Sequence, residues 1–297
     1  MDKIDRLGWA AGIAFKAYGL SVGVRVTDTS VLEQVCKLLP PGWTPAASPA
    51  VRCLFSLIVG GPTRRAGLRR FNILYADAAR VVRTHNLEEA LQQLELHLHL
   101  YIAEMAPRYT FVHAGVVGWK GKAIVIPGRS LAGKSSLVAA LVQAGATYYS
   151  DEFAVLDGRG RVHPYPIPLA IRQSEGGAPL VKCRVEDIGG VAGTRPLPVG
   201  LVLSTRYSSG TRFRPRPVSA GHAVLDLLAN TLPARRRPER TLAVLSRIVS
   251  HAILLRGTRG EAAVAAQQVL HGDLLERREQ GNRTGRIYGV RRRLALT

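Results

Sequence analysis

The stretch "PGRSLAGKSS", residues 127–136, constrains this chain more than any other. It meets the spacing G-x-x-x-x-G-K-[ST] in full through Gly128, Gly133, Lys134 and Ser135. The pattern alone also arises in ordinary glycine turns, so its context decides. The apolar run "AIVI" stands directly before it and the helix-forming "KSSLVAALVQA" directly after, the placement a phosphate cradle requires. Backbone N–H groups of Gly128, Arg129, Ser130, Leu131, Ala132, Gly133, Lys134, Ser135 and Ser136 then converge on phosphate oxygens. The helix N-terminus adds the positive end of its dipole. Lys134 reaches the β- and γ-phosphates as a point charge, and Ser135 offers a hydroxyl to Mg²⁺. The expectation is a loop that binds ATP with Mg²⁺.

A loop that holds a triphosphate does not say what becomes of the γ-phosphate. Transfer needs an acid that organises metal and a group that activates a nucleophile. Asp151 and Glu152 are adjacent within a strand expected over Thr147–Leu156, so they point to opposite faces and take different jobs. Acids are disfavoured in strands unless placed for a reason. Asp157, in "DG", reads as a turn residue. His113 enters through register. With a two-residue turn at Lys120-Gly121, Trp119 faces Lys122, Val117 faces Ile124 and Gly115 faces Ile126. Continued, this register sets His113 opposite Gly128, at the mouth of the loop. A lone histidine beside a strand is also commonly structural, so both roles stay open.

With these residues assembled, the stretch from about 111 to 156 resembles the catalytic domain of bacterial HPr kinase/phosphorylase. "VHAGVV", "GRSLAGKSS" and "YYSDEFAVL" match that family in order and spacing. The resemblance implies an α/β P-loop kinase domain of the HPr kinase and phosphoenolpyruvate carboxykinase type, with a smaller N-terminal α/β domain. It implies an ATP-dependent kinase of a serine hydroxyl on a peptide, protein or small molecule. By the same analogy Asp151 accepts the hydroxyl proton, His113 pairs with it, and Glu152 helps Ser135 hold Mg²⁺. Lys134 completes the catalytic set. The family has Asp where Glu152 stands, and its E-x-R element is met only by "AIR", with Ala170 in the acid position and Arg172 retained. These departures keep a second reading open, a nucleotide-binding regulatory module with little catalysis. Toward its far end the chain also looks like divergent relatives that include lasso-peptide tailoring kinases. The family's ring assembly implies a homo-oligomer. Arg256 and Arg259 are candidates to stabilise the transferring phosphate.

The rest of the chain divides accordingly. Residues 1–106 read as a domain of unknown role, with strands at "SVGVRV", "VRCLFSLIV" and "FNILYA". A helix follows, with Leu87, Leu91, Leu94, Leu98, Ile102 and Met105 on one stripe, Asn86 as cap and Glu89 in the capping-box position. His97 and His99 lie about 200° apart on that helix and so share no metal face. Residues 107–275 form the kinase-like domain, with helices over "AVLDLLANTL", about 239–254 and "EAAVAAQQVL". Residues 276–297 form a basic tail. The 41 Lys+Arg against 21 Asp+Glu, a net charge of +20, suit an anionic partner or a solvated basic face. No aromatic-interleaved basic motif or recognition helix accompanies that charge, so nucleic acid is not expected. Three scattered cysteines without metal-ligand spacing fit a reduced, cytoplasmic setting. No apolar run reaches the roughly 18 residues of a membrane helix, and the Lys16-broken N-terminus does not read as a signal peptide.

Overall fold

The computed structural model describes residues 3–61, 70–128, 133–172 and 180–272. Arg129, Ser130, Leu131 and Ala132 of the glycine loop, residues 62–69 of the basic loop and the tail 276–297 lie outside the described residues. The protein is a mixed α/β chain in two compact units, Met1–Thr110 and Phe111–Thr297.

In the first unit six strands form one sheet: β1 (Ala11–Ala17), β2 (Leu20–Val26), β3 (Thr44–Pro45), β4 (Cys53–Ile58), β5 (Asn72–Ala76) and β6 (Ala79–Thr84). Their order is β3-β1-β2-β4-β5-β6. Helix α1 (Leu32–Lys37) is short, and α2 (Leu87–Met105) buries Leu91, Leu94, Leu98 and Ile102. Asn86 caps α2 by accepting from the N–H groups of Glu88 at 2.9 Å and Glu89 at 3.4 Å. The reciprocal half of the capping box is rerouted through Thr84, whose hydroxyl donates to Glu89 at 2.6 Å and accepts the Asn86 N–H at 3.1 Å. His99 is buried and donates from Nε2 to Leu38 O at 3.0 Å, a structural role.

The second unit carries β7 (Thr110–Trp119), β8 (Lys122–Pro127), β9 (Thr147–Ser150), β10 (Phe153–Leu156), β11 (Arg161–His163), β12 (Leu169–Arg172), β13 (Leu180–Cys183), β14 (Leu197–Tyr207), β15 (Arg216–Pro217) and β16 (Ile253–Arg259). Helices α3 (Lys134–Gln143), α4 (Ala220–Leu228), α5 (Pro238–His251) and α6 (Ala262–His271) complete it. The main sheet runs β11-β10-β7-β8-β14-β16-β15, with β9 also paired to β7. Strands β8, β14 and β16 are mutually parallel.

Both faces of this sheet are buried, which explains its continuous apolar strands. Ile124, Ile126, Leu201, Leu203 and Leu255 join Leu137, Val138 and Leu141 of α3 and Ala266 and Val269 of α6 in one core. Their strand neighbours Val125, Val202 and Val116 join Leu227 of α4 and Leu245, Ile248 and Val249 of α5 in the other. Helix α3 lies close to the sheet because Gly115 has no side chain: a Cβ there falls 2.5 Å from Val138 Cγ2. The turn after β10 is tied by Asp157, which accepts from the N–H groups of Arg159 at 2.8 Å and Arg161 at 3.0 Å and lies 3.1 Å from His163 Nε2.

Two outcomes test this packing. Gly115→Ala lowers unfolding free energy by about 1–3 kcal/mol through overpacking. By contrast Gly221→Ala, where a helical Cβ meets nothing within 4 Å, raises it by about 0.5–1 kcal/mol. Urea denaturation checks both. Partial burial pushes the Asp157 carboxyl up, but the Arg161, His163 and Arg159 hydrogen bonds outweigh it and hold it below its ordinary value. Its stabilisation is therefore present above the unfolded carboxyl's pKa and lost as pH falls through the native one. Asp157→Ala costs on the order of 1–2 kcal/mol near neutrality and progressively less in acid, read by denaturation across pH.

Candidate active site

The hairpin β7–β8 turns at Lys120 and Gly121, both with positive φ (47° and 74°), the signature of a two-residue hairpin turn. Trp119 pairs with Lys122, Val117 with Ile124 and Gly115 with Ile126, the register read from the sequence. It carries through to the loop, where Gly128 N–H donates to His113 O at 3.2 Å. Gly133 then takes a left-handed conformation (φ 78°, ψ 16°) at the N-cap of α3, a conformation that favours glycine. Lys134 and Ser135 follow as the first helical residues. Ser136 is exposed.

The acidic pair differs from expectation in a way that matters. No continuous strand runs through 147–156: β9 stops at Ser150 and β10 starts at Phe153. Ser150 causes the break, because its hydroxyl oxygen accepts the N–H groups of Glu152 at 3.1 Å and Phe153 at 2.9 Å. A local bond of this type offers the backbone an alternative to the ladder. Asp151 and Glu152 therefore sit in a bend, and strand alternation does not set their directions.

Asp151 is 4% exposed. It accepts from Ala170 N–H at 3.3 Å and stands 3.1 Å from the Tyr148 hydroxyl, and the neighbouring Ser135 side chain helps hold its pKa down. That hydroxyl also lies 2.8 Å from Ile167 O, and its one proton serves only one acceptor. Burial pushes the Asp151 carboxyl up despite these bonds. Lys134, 7% exposed, has its ammonium pKa lowered by burial and held up by Glu152 and Asp151.

Glu152 is the more open acid, with its side chain 40% exposed, and its Oε1 lies 3.5 Å from His113 Nδ1. His113 Nδ1 also stands 2.8 Å from Glu152 O. A carbonyl only accepts, so Nδ1 carries the proton and donates to it. Burial and the neighbouring Asp151 push the Glu152 carboxyl up, while His113 and Lys134 pull the other way. The contacts thus run opposite to the pairing implied by the resemblance: His113 meets Glu152, and Ser135 meets Asp151. The Ser150 bend is the physical reason.

Arg259, at the end of β16, is 2% exposed and donates to Gly133 O at 2.6 Å and to Gly260 O at 2.9 Å. It braces the shoulder of the glycine loop. Arg256 lies elsewhere, bound to Asp226 at 2.6 and 3.2 Å. Arg172 closes β12, and its side chain is outside the described residues. Sequence reasoning missed Ser150, Tyr148 and Asp226. A serine before paired acids was a readable turn signal, whereas nothing in one sequence marked Asp226.

Among the described residues no cluster of three or more metal-ligating side chains occurs, and no helix is long and apolar enough to cross a membrane. No protein-family model and no curated protein matches the chain. Among solved structures it is similar to the Hpr(Ser) kinase/phosphatase from Coxiella burnetii, at 12% identity over 61% of this chain and 99% of that one, with a TM-score of 0.30.

Arg259→Met leaves the Gly133 carbonyl without its charged donor. Unfolding free energy falls by roughly 1.5–3 kcal/mol, as read by urea denaturation. Unchanged stability would remove Arg259 from the support of Gly133.

Proposed function

We propose that the chain is an ATP-dependent phosphotransferase that moves the γ-phosphoryl group to a serine hydroxyl. One observation carries the reading: a buried carboxylate, Asp151, beside the serine that follows the lysine of a complete phosphate-loop motif. A buried carboxylate raised by desolvation beside a hydroxyl is a hard-oxygen set that fits Mg²⁺. Asp151 and Ser135 would hold the ion, which when bound neutralises charge on the phosphate oxygens. Lys134 fixes the triphosphate, and Arg259 keeps the loop's carbonyl shoulder in place.

Glu152 takes the proton in this reading, a change from the role given to Asp151 by resemblance. Access decides between them: Asp151 is enclosed by three partners, while Glu152 opens to solvent beside His113. The acceptor oxygen attacks the γ-phosphorus as its proton passes to Glu152 Oε1, and the bond to the β–γ bridging oxygen breaks to release ADP. His113 orients Glu152 and offsets its charge. A carboxyl raised toward the working pH suits a general base.

Two variants separate the roles. Glu152→Gln lowers transfer about 10²–10⁴-fold with nucleotide affinity nearly unchanged. Asp151→Asn loses transfer together with Mg²⁺-dependent nucleotide affinity. The reverse pattern restores Asp151 as base. Label from γ-labelled ATP should appear on a serine-bearing acceptor. Nucleotide binding with no labelled acceptor instead identifies a regulatory module.

A further inference from the structure

Beside Pro127, at the carboxyl ends of β8, β14 and β16, lies a cleft of about 610 Å³. Carboxyl ends of parallel strands are where open α/β sheets bind ligands. Pro127, Ser204, Arg206, Asp226, Asn230 and Arg256 line it. Two of these tie it to the candidate active site. Pro127 directly precedes Gly128, and Asn230 O accepts the His113 N–H at 2.7 Å. A group seated here is next to both the start of the phosphate loop and the strand that carries His113.

The charge of the cleft is unbalanced. Asp226 is already engaged by Arg256 through two bonds and by the Ser204 hydroxyl at 2.8 Å. Arg206 is exposed and has no partner among the described residues. Arg216 of β15 pairs in register with Arg256, so both side chains share one face, and like charges placed so are unfavourable. Ser204, paired with Arg256 across β14–β16, lies in the same row, and Arg206 is two residues along β14 on that face. Between Asp187 and Asp226 the sequence has five arginines and no acid. Three guanidiniums therefore face one spent carboxylate across three strands. At about 4.8 Å per strand the row spans roughly 10 Å, more than a single small carboxylate covers.

We propose that this cleft seats the phosphoacceptor, and that the acceptor is an acidic peptide segment with carboxylates flanking its serine. Arg206 and Arg216 pair with those carboxylates and hold the hydroxyl toward the γ-phosphate. This rests on the phosphotransferase reading for the transfer step, but the binding stands apart from it.

The test uses fluorescently labelled serine peptides of equal length, flanked by Asp, by Asn or by Lys, with the full chain at low salt. Anisotropy should show the Asp peptide binding at least about tenfold tighter than the Asn peptide, and the Lys peptide weakest. The double variant Arg206→Gln/Arg216→Gln should abolish most of that preference while nucleotide affinity is unchanged. The double variant Arg159→Gln/Arg184→Gln, which removes the same two charges at exposed arginines outside the cleft, should retain it. Equal binding of Asp and Asn peptides, or a preference that survives the double variant, overturns the proposal. Phosphorylation of Asn and Asp peptides alike would sink it while leaving the kinase standing. Arginine-dependent binding without label transfer supports the cleft and removes the kinase.

Discussion

The carboxylate of Asp151, closed off from water against Ser135 and near the Lys134 ammonium, is the interaction on which the candidate site depends. Burying a charge without full compensation is costly, and here the cost appears as a carboxyl raised above its ordinary range. Proteins keep such groups where something else supplies the missing charge. In the proposed phosphotransferase reading a magnesium triphosphate would do so, bringing cation to the carboxylate and anion to the lysine.

The fold creates that juxtaposition through close approach. Gly115 lets α3 settle onto β7, which brings Lys134 and Ser135 down to the level of the bend after Ser150. The parallel strands β8, β14 and β16 end side by side, so Gly128, Arg259 and the arginine-lined cleft fall along one edge of one sheet. Two buried faces hold that sheet rigid. Small residues matter as much as charged ones: Gly133 accepts the left-handed turn and leaves room for the Arg259 guanidinium, which a Cβ would meet at 2.6 Å.

Much of the site was legible because its signals are local. The motif placed the start of α3 at Lys134, and the Lys120-Gly121 turn fixed a register that propagated to His113 without error. The α2 stripe and its Asn86 cap read equally well. What could not be read was tertiary. Strand β14 carries no clear alternation because its central run is buried on both faces, and the segment holding Arg256 and Arg259 read only as a region after a helix. The strand expected through Asp151 and Glu152 is broken for a definite reason: the Ser150 hydroxyl accepts from the N–H groups of Glu152 and Phe153 and holds the chain in a bend.

The central claim is that Ser135 and Asp151 act as one unit on the nucleotide. A double-mutant cycle of Ser135→Ala and Asp151→Asn, read as Mg²⁺-nucleotide binding free energy, addresses it directly. The account predicts strong coupling, on the order of 1 kcal/mol or more, because either change alone dismantles the same oxygen pair. Additivity within about 0.3–0.5 kcal/mol, the behaviour of independent sites, contradicts it.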